Sequence, residues 1–342
     1  MTTALVCPDK FRGTLSAKTA AAAMARGLRR AGFDVVVELP LADGGEGTLD
    51  AMLAALGGSR RQARVSGPLG DPVDAPWGLL PGGLAVVECA AASGIALVQG
   101  RNDPLRASTR GTGELIAAAI RAGARRVLLG VGGTATTDGG LGALDALGWS
   151  LSGVPVTVAC DVSARFLEAS RFSAQKGATS AQVELLARRL AQLAETYLQR
   201  TGVDVRELAG SGAAGGLPGG LAAIGAKLEP GFDVVAEAVG LEAHLESADL
   251  VVTGEGRLDA TSFLGKVVGG VLEWAGDSGV LRRAVIAGQV THDARDEIEL
   301  HPGVEVLALT DRVWQAGEAF ARAELLVEEA ALEVGRRALA GE

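Results

Sequence analysis

The stretch from Gly130 to Gly140 reads GVGGTATTDGG and sits directly behind the apolar run from Arg126 to Leu129. Five glycines, three threonines and one aspartate in eleven positions exceed what an ordinary turn needs. A loop of this kind lets successive backbone N–H groups come close to a polyanion. Four further clusters share the design of glycines beside a carboxylate or a cation: Pro8-Asp-Lys-Phe-Arg-Gly13, Ala42-Asp-Gly-Gly-Glu-Gly47, Gln175-Lys-Gly-Ala178 and Thr253-Gly-Glu-Gly-Arg-Leu-Asp259, the last continuing to Gly265-Lys266. Lysines add point charges, and carboxylates can hold Mg²⁺ between phosphate oxygens. Phosphoryl transfer uses these parts, because its transition state is stabilised mainly by positioning and charge. Taken singly, each cluster reads equally as a tight turn, an N-capping aspartate or a solvated lysine. Recurrence at successive predicted strand ends favours an anion-binding cleft.

The elements that must position these clusters follow an α/β rhythm. Thr3 to Cys7 reads as a strand, and Ser16 as the N-cap of a helix running to about Gly32, with Ala20, Met24, Leu28 and Ala31 on one face. Asp34 to Leu39 is the next strand, followed by a helix from Leu49 to Leu56. Polar motifs thus stand just past both strand ends, where ligands collect in open parallel sheets. Arg61 to Glu88 has the texture of an antiparallel meander. After it come a helix from Gly111 to Ala122, strands at Val127–Leu129 and Val154–Ala159, and an amphipathic helix from Ala181 to Gln199. Strands return at Ala248–Thr253, Ala284–Ala287 and Val304–Thr310, and a helix from Phe320 to Leu339 closes the chain. The expected fold is two α/β domains: a Rossmann-like parallel-sheet domain (1–62 plus 236–342) interrupted by an inserted mixed α/β domain (63–235).

Composition narrows the function. The 342 residues are 48% hydrophobic and 21% charged, with 49 glycines. Such glycine usage between apolar runs suits an α/β enzyme with many strand-to-helix turns. A net charge of −9 argues against general nucleic-acid binding, while a few local Lys and Arg residues can still dominate one cleft. Cys7, Cys89 and Cys160 stand apart without a CxxC pair, which fits reduced thiols in a cytoplasm. The N-terminus turns charged at Asp9, too early for a signal peptide, and no apolar run is long enough to span a membrane. Oligomeric state is left open, a homo-oligomer included.

Several familiar signatures fail. No GxxxxGK[ST] occurs. Gly210-Ser-Gly-Ala-Ala-Gly215 fits GxGxxG, but Val203–Leu208 is a poor buried strand, Gly216-Leu-Pro-Gly-Gly220 is expected to interrupt the helix that must follow, and Pro230 stands where the acidic residue belongs, so dinucleotide binding is disfavoured. His244, His292 and His301 lie in polar contexts and support neither a catalytic triad nor a histidine metal site.

The ordered set CPDKFRGTLSA, LADGGEGT, STRGTGELI, GVGGTATTDGG, CDV, QKGAT, GSGAAGGL and DLVVTGEGRLD…GK resembles the type I glycerate kinase family nearly end to end. The resemblance implies ATP-dependent phosphorylation of D-glycerate with Mg²⁺, mostly at the 2-hydroxyl, and an active site between two α/β domains. One stretch departs from the family pattern: Ser163 to Ala174 is shorter than usual and lacks its Asn-Pro-Leu-x-Gly segment.

Glycerate requires a cation, a base and a phosphate cradle. The GVGGTATTDGG and GEGRLD stretches are expected to face each other across the cleft. Backbone N–H groups around Gly132, Gly133 and Gly254, with Thr134 or Thr136, would hold phosphate oxygens; Arg12, Gly44, Gly45 and Glu46 join the substrate- and phosphate-binding set. Lys10, Lys176 and Lys266 are candidates to neutralise the transferred group, and Asp43, Asp161 and Glu255 to bind Mg²⁺. Asp138 is the first choice to accept the hydroxyl proton and Asp43 the second. Arg257 or Arg110 would take the carboxylate. Two rival readings are a kinase for another small hydroxy acid, favoured by the altered 163–174 segment, and a non-catalytic sensor of glycerate or nucleotide.

Overall fold

The computed structural model describes residues 1–161, 163–314 and 316–341. Val162 of the Cys-Asp-Val motif, and Gln315 and Glu342 of the expected 236–342 segment, lie outside the described residues. In chain order the strands are β1 (Thr3–Val6), β2 (Val35–Glu38), β3 (Ser59–Ser66), β4 (Pro72–Leu80), β5 (Leu84–Glu88), β6 (Arg126–Gly130), β7 (Val156–Ala159), β8 (Lys227–Glu229), β9 (Leu250–Leu258), β10 (Arg283–Val290) and β11 (Val304–Ala308). The chain divides into two units, one comprising 1–43, 50–55 and 232–342, the other 44–49 and 56–231.

The first unit is a five-stranded sheet in the order β11-β10-β9-β1-β2, with every pairing parallel. This is the expected Rossmann-like parallel sheet. Its order reverses between β1 and β9, and in such sheets the crevice beyond the carboxyl ends at the reversal is the ligand site. The helix Ala17–Ala31 begins where Ser16 accepts from the Thr19 N–H and ends at Gly32 in the left-handed region (φ 115°), both as the residue types predict. It lies against the helix Ala323–Ala340 through a glycine notch: a Cβ on Gly27 would stand 2.3 Å from the Glu328 carbonyl oxygen. The closing segment differs from the single helix expected. Non-helical backbone at Arg322 separates Ala316–Ala321 from Ala323–Ala340, and the break allows both Ala319 and Ala323 to be buried.

The second unit is a six-stranded mixed sheet in the order β3-β4-β5-β6-β7-β8. Its β3–β4 and β4–β5 pairs are antiparallel, as the meander texture predicts, and its remaining pairs are parallel. The helix Ser180–Thr201 buries Leu186, Leu190 and Tyr197 of its amphipathic face, while Val183 and Leu193 on the same face are half-buried. The departing segment becomes a 3₁₀ stretch, Phe166–Lys176. Phe166 is fully buried edge-on to Tyr197, ring centroids 5.9 Å apart. This anchor holds the 3₁₀ stretch that ends at Lys176.

Candidate active site

In the first unit, β9 outruns β1. Pairing with β1 ends at Val252, while β9 continues along β10 to Leu258. Gly254, Glu255, Gly256 and Arg257, expected in a loop, are therefore strand residues, and neither Gly254 nor Gly256 has a positive φ. Their glycine character serves close approach. A Cβ on Gly254 would stand 2.0 Å from the Ile286 oxygen, and one on Gly256 would stand 3.0 Å from the Arg12 nitrogen. The Asp9 N–H donates to the Gly254 oxygen at 2.9 Å, so the loop after β1 is held tightly to the extension of β9.

That arrangement buries two carboxyl groups at the sheet's reversal point. Burial pushes Asp9 up to about 6; the Lys10 ammonium, 3.5 Å away, opposes the shift and Asp43 adds to it. Burial likewise pushes Glu255 up to about 7, against a hydrogen bond from the Ser262 hydroxyl and with repulsion from Asp9. Oε1 of Glu255 is buried and has no partner among the described residues. Lys266 acts on Glu255 electrostatically and donates to the Thr261 hydroxyl at 2.7 Å. Lys10, Asp43 and Glu255 thus interact with Asp9, and Lys266 with Glu255; Asp9 stands within a motif but was not among the candidate functional residues. Its chemical importance comes from burial under the β9 extension, which no local pattern announces.

In the second unit, Gly132, Gly133, Thr134, Asp161, Lys176 and Gly215 line one cavity of about 370 Å³. Lys176 Nζ donates to the Thr134 hydroxyl at 3.1 Å and to the Thr136 carbonyl at 2.6 Å. Asn102 pins the same turn, donating to the carbonyls of Lys176 and Ala135. The Thr136 hydroxyl is buried and unpartnered among the described residues. Asp161 accepts from the Gly231 N–H at 3.1 Å. On the opposite wall Ala214, Gly215 and Gly216 are successive left-handed residues (φ 47°, 76° and 91°). A Cβ on Gly215 would stand 2.0 Å from the Thr136 oxygen, so this backbone packs directly on the glycine-rich loop. The GxGxxG match here is a packing feature.

Burial lowers Lys176 to about 8, with Cys89 and Asp138 acting in the other direction. Relative to the unfolded chain the folded state prefers the neutral amine. The resulting stability is present above the ordinary lysine range and is lost as pH falls through about 8. Anion binding has the opposite dependence, because it needs the ammonium. Affinity for an anionic ligand of this cavity is expected to fall as pH rises through about 8, read from the pH profile of KM, and Lys176→Arg should move that limb upward.

Four sequence candidates occupy other positions. Arg110 pairs with Glu114 at 2.9 Å on the exposed side of its helix and does not line the Lys176 cavity. Glu46 is exposed, and it is Glu88 that accepts from the N–H groups of Gly47 and Leu49, at 2.9 and 3.0 Å. Gly44, with φ 86°, is required for close approach, since a Cβ there would meet Ala159 Cβ at 2.5 Å; Gly45 receives the Thr48 hydroxyl on its carbonyl.

Asp138 lines a separate cavity, although its charge still acts on Lys176. Its Oδ2 accepts from the Thr109 N–H and hydroxyl at 2.8 and 2.9 Å and from the Gly142 N–H at 3.3 Å, while Oδ1 accepts from Gly140 N–H. This is the bonding of a structural acceptor that ties the Ser108–Thr109 turn to the glycine-rich loop. Asp138→Ala should lower the unfolding free energy by about 2–4 kcal/mol, because several donors lose their acceptor together; chemical denaturation measures it.

No group of three His, Cys, Asp or Glu among the described residues is placed to hold a metal ion. All three cysteines are free and buried, and no helix among the described residues is long and apolar enough to cross a membrane.

The profile of the glycerate kinase family matches residues 4–153 and 150–339. Glycerate 2-kinase of Escherichia coli K12 is 41% identical over 305 residues, covering 78% of this chain and 80% of the relative. Glycerate kinase of Bacillus subtilis 168 is 39% identical over 329 residues, covering 85% and 86%. A crystal structure described as that of a 'putative glycerate kinase 2' from Salmonella typhimurium LT2 superposes with a TM-score of 0.87 at 35% identity and covers 99% of both chains.

Proposed function

The chain belongs to the glycerate kinase family and is an enzyme, and from that premise we propose that it transfers the terminal phosphoryl group of ATP to D-glycerate, with Mg²⁺, in the cytoplasm, giving 2-phosphoglycerate. Lys176 carries the reading: a part-buried ammonium, fixed by Thr134 and the Thr136 carbonyl in a glycine-walled cavity, is a seat for the acceptor's carboxylate. Thr134 and the loop backbone orient that anionic end.

The proton acceptor in this reading is Asp9. Its carboxyl is held near neutrality by burial, where a base both binds and releases a proton readily, and Lys10 fixes its orientation. Asp138 is assigned a positioning role through the loop it braces. Kinases commonly hold Mg²⁺ with one or two carboxylates together with substrate phosphates. Glu255, with its unpartnered buried oxygen, and Asp43 fit that demand; the bound ion would supply charge neutralisation on the phosphates. Lys266, near Glu255, adds to the same neutralisation.

A second reading, a larger hydroxy acid, is favoured by the cavity volume of about 370 Å³, which is roomier than a three-carbon acid needs. One assay separates the outcomes: D-glycerate, ATP and Mg²⁺ with coupled ADP detection, and product position read by phosphorus NMR. ADP release with D-glycerate supports the proposal. Release only with a longer hydroxy acid supports the second reading, and thermal stabilisation by ligand without turnover supports a sensor.

A further inference from the structure

The first unit contains a second built cavity, of about 350 Å³, beside the carboxyl ends of β9 and β10. Its floor is backbone: Gly256 and Gly288 lie on neighbouring strands so close that a Cβ on Gly288 would stand 2.3 Å from the Gly256 oxygen. Phe11 and Leu309 supply buried apolar walls, and Phe320 stands at the mouth, 62% exposed. A large aromatic left open to water against a flat, side-chain-free floor has the chemistry of a stacking slot for a planar ring.

The polar groups are confined to the edges. Gln289 and Arg257 are register partners on β10 and β9, Thr310 lines the far end, and Arg12 and Arg257 stand at the rim. Neither arginine is ion-paired among the described residues, whereas Arg26 and Arg30 on the same unit both engage Glu328. The volume is at the low end for small-molecule sites and takes a ring and sugar. An anionic tail would meet the two guanidinium groups at the rim. Arg12 and Arg257 stand three and two residues after Asp9 and Glu255 in the sequence.

We propose that this cavity seats the purine and ribose of the nucleotide, with Gln289 and Thr310 on the base edge and Arg12 and Arg257 on the phosphates. The proposal rests on the kinase reading and adds where the donor binds. Its test is calorimetric binding of the non-hydrolysable analogue AMP-PNP with Mg²⁺, alongside steady-state kinetics. Phe320→Ala removes an exposed side chain and should weaken AMP-PNP about tenfold or more, the usual scale for losing base–aromatic stacking. KM for ATP should rise in parallel, KM for D-glycerate should stay within about twofold, and Phe320→Trp should restore binding. Thr310→Trp, which fills the slot, should abolish AMP-PNP binding. Wild-type turnover together with unchanged AMP-PNP affinity in both Phe320→Ala and Thr310→Trp overturns the seat and leaves the kinase reading standing. A wild-type enzyme that neither binds AMP-PNP nor uses any nucleoside triphosphate overturns both.

Discussion

Lys176→Met is expected to lower kcat/KM for D-glycerate by about a hundred- to a thousandfold, the range for losing one partner of a desolvated, hydrogen-bonded charge pair. The substitution keeps the length of the buried stem and removes only the ammonium, so the 3₁₀ stretch Phe166–Lys176 keeps its packing. Two consequences separate binding from general damage. The unfolding free energy should not fall, because the amine's burial disfavours its charged form. The loss should also reside chiefly in KM for the acid, with KM for ATP nearly unchanged. A variant with normal kcat/KM would remove the carboxylate seat from this cavity.

Asp9→Asn is expected to reduce kcat by about two to four orders of magnitude, the range for a positioned proton acceptor. Asparagine keeps the size of the side chain and an acceptor for the Lys10 N–H, now at 2.6 Å. It cannot take up a proton. Stability has a definite sign. The folded carboxyl is raised to about 6 from 3.8, so its contribution is complete below the ordinary carboxylate range and is lost as pH rises through about 6. Near neutrality the ionised, buried group is a burden, and Asp9→Asn should leave the melting temperature unchanged or higher. Lower activity with undiminished stability marks a site strained for function; a parallel fall in both would make Asp9 a structural residue.

The parts of this architecture that were legible beforehand are those dictated by neighbours in sequence. Ser16 and Gly32 mark the ends of their helix because capping is a local reaction of a side chain or a left-handed residue with the adjacent turn. The glycine-rich loop was equally visible, and it does carry Thr134 and the Thr136 carbonyl to Lys176. What escaped depended on distant partners. The donors that Asp138 meets at Ser108 and Thr109 are some thirty positions away in the chain. Gly254 and Gly256 resembled a nest, whereas the pairing of β9 with β10 holds them extended. Lys176 taken singly resembled a solvated lysine until the fold of 166–176 buried it.

The same strand order bears on how the enzyme is made. β1 pairs with β2 on one side and with β9 on the other, and Leu5 lies beside Val251. A ribosome emits β1 first, yet its inner neighbour emerges only after the whole of the mixed sheet has been synthesised. Domains generally fold as units during synthesis, so the mixed sheet can form while the leading segment still awaits its mate. Until β9 arrives, the apolar edge of Ala4, Leu5 and Val6 is exposed to other nascent chains, and slow translation through the last third of the message prolongs that exposure.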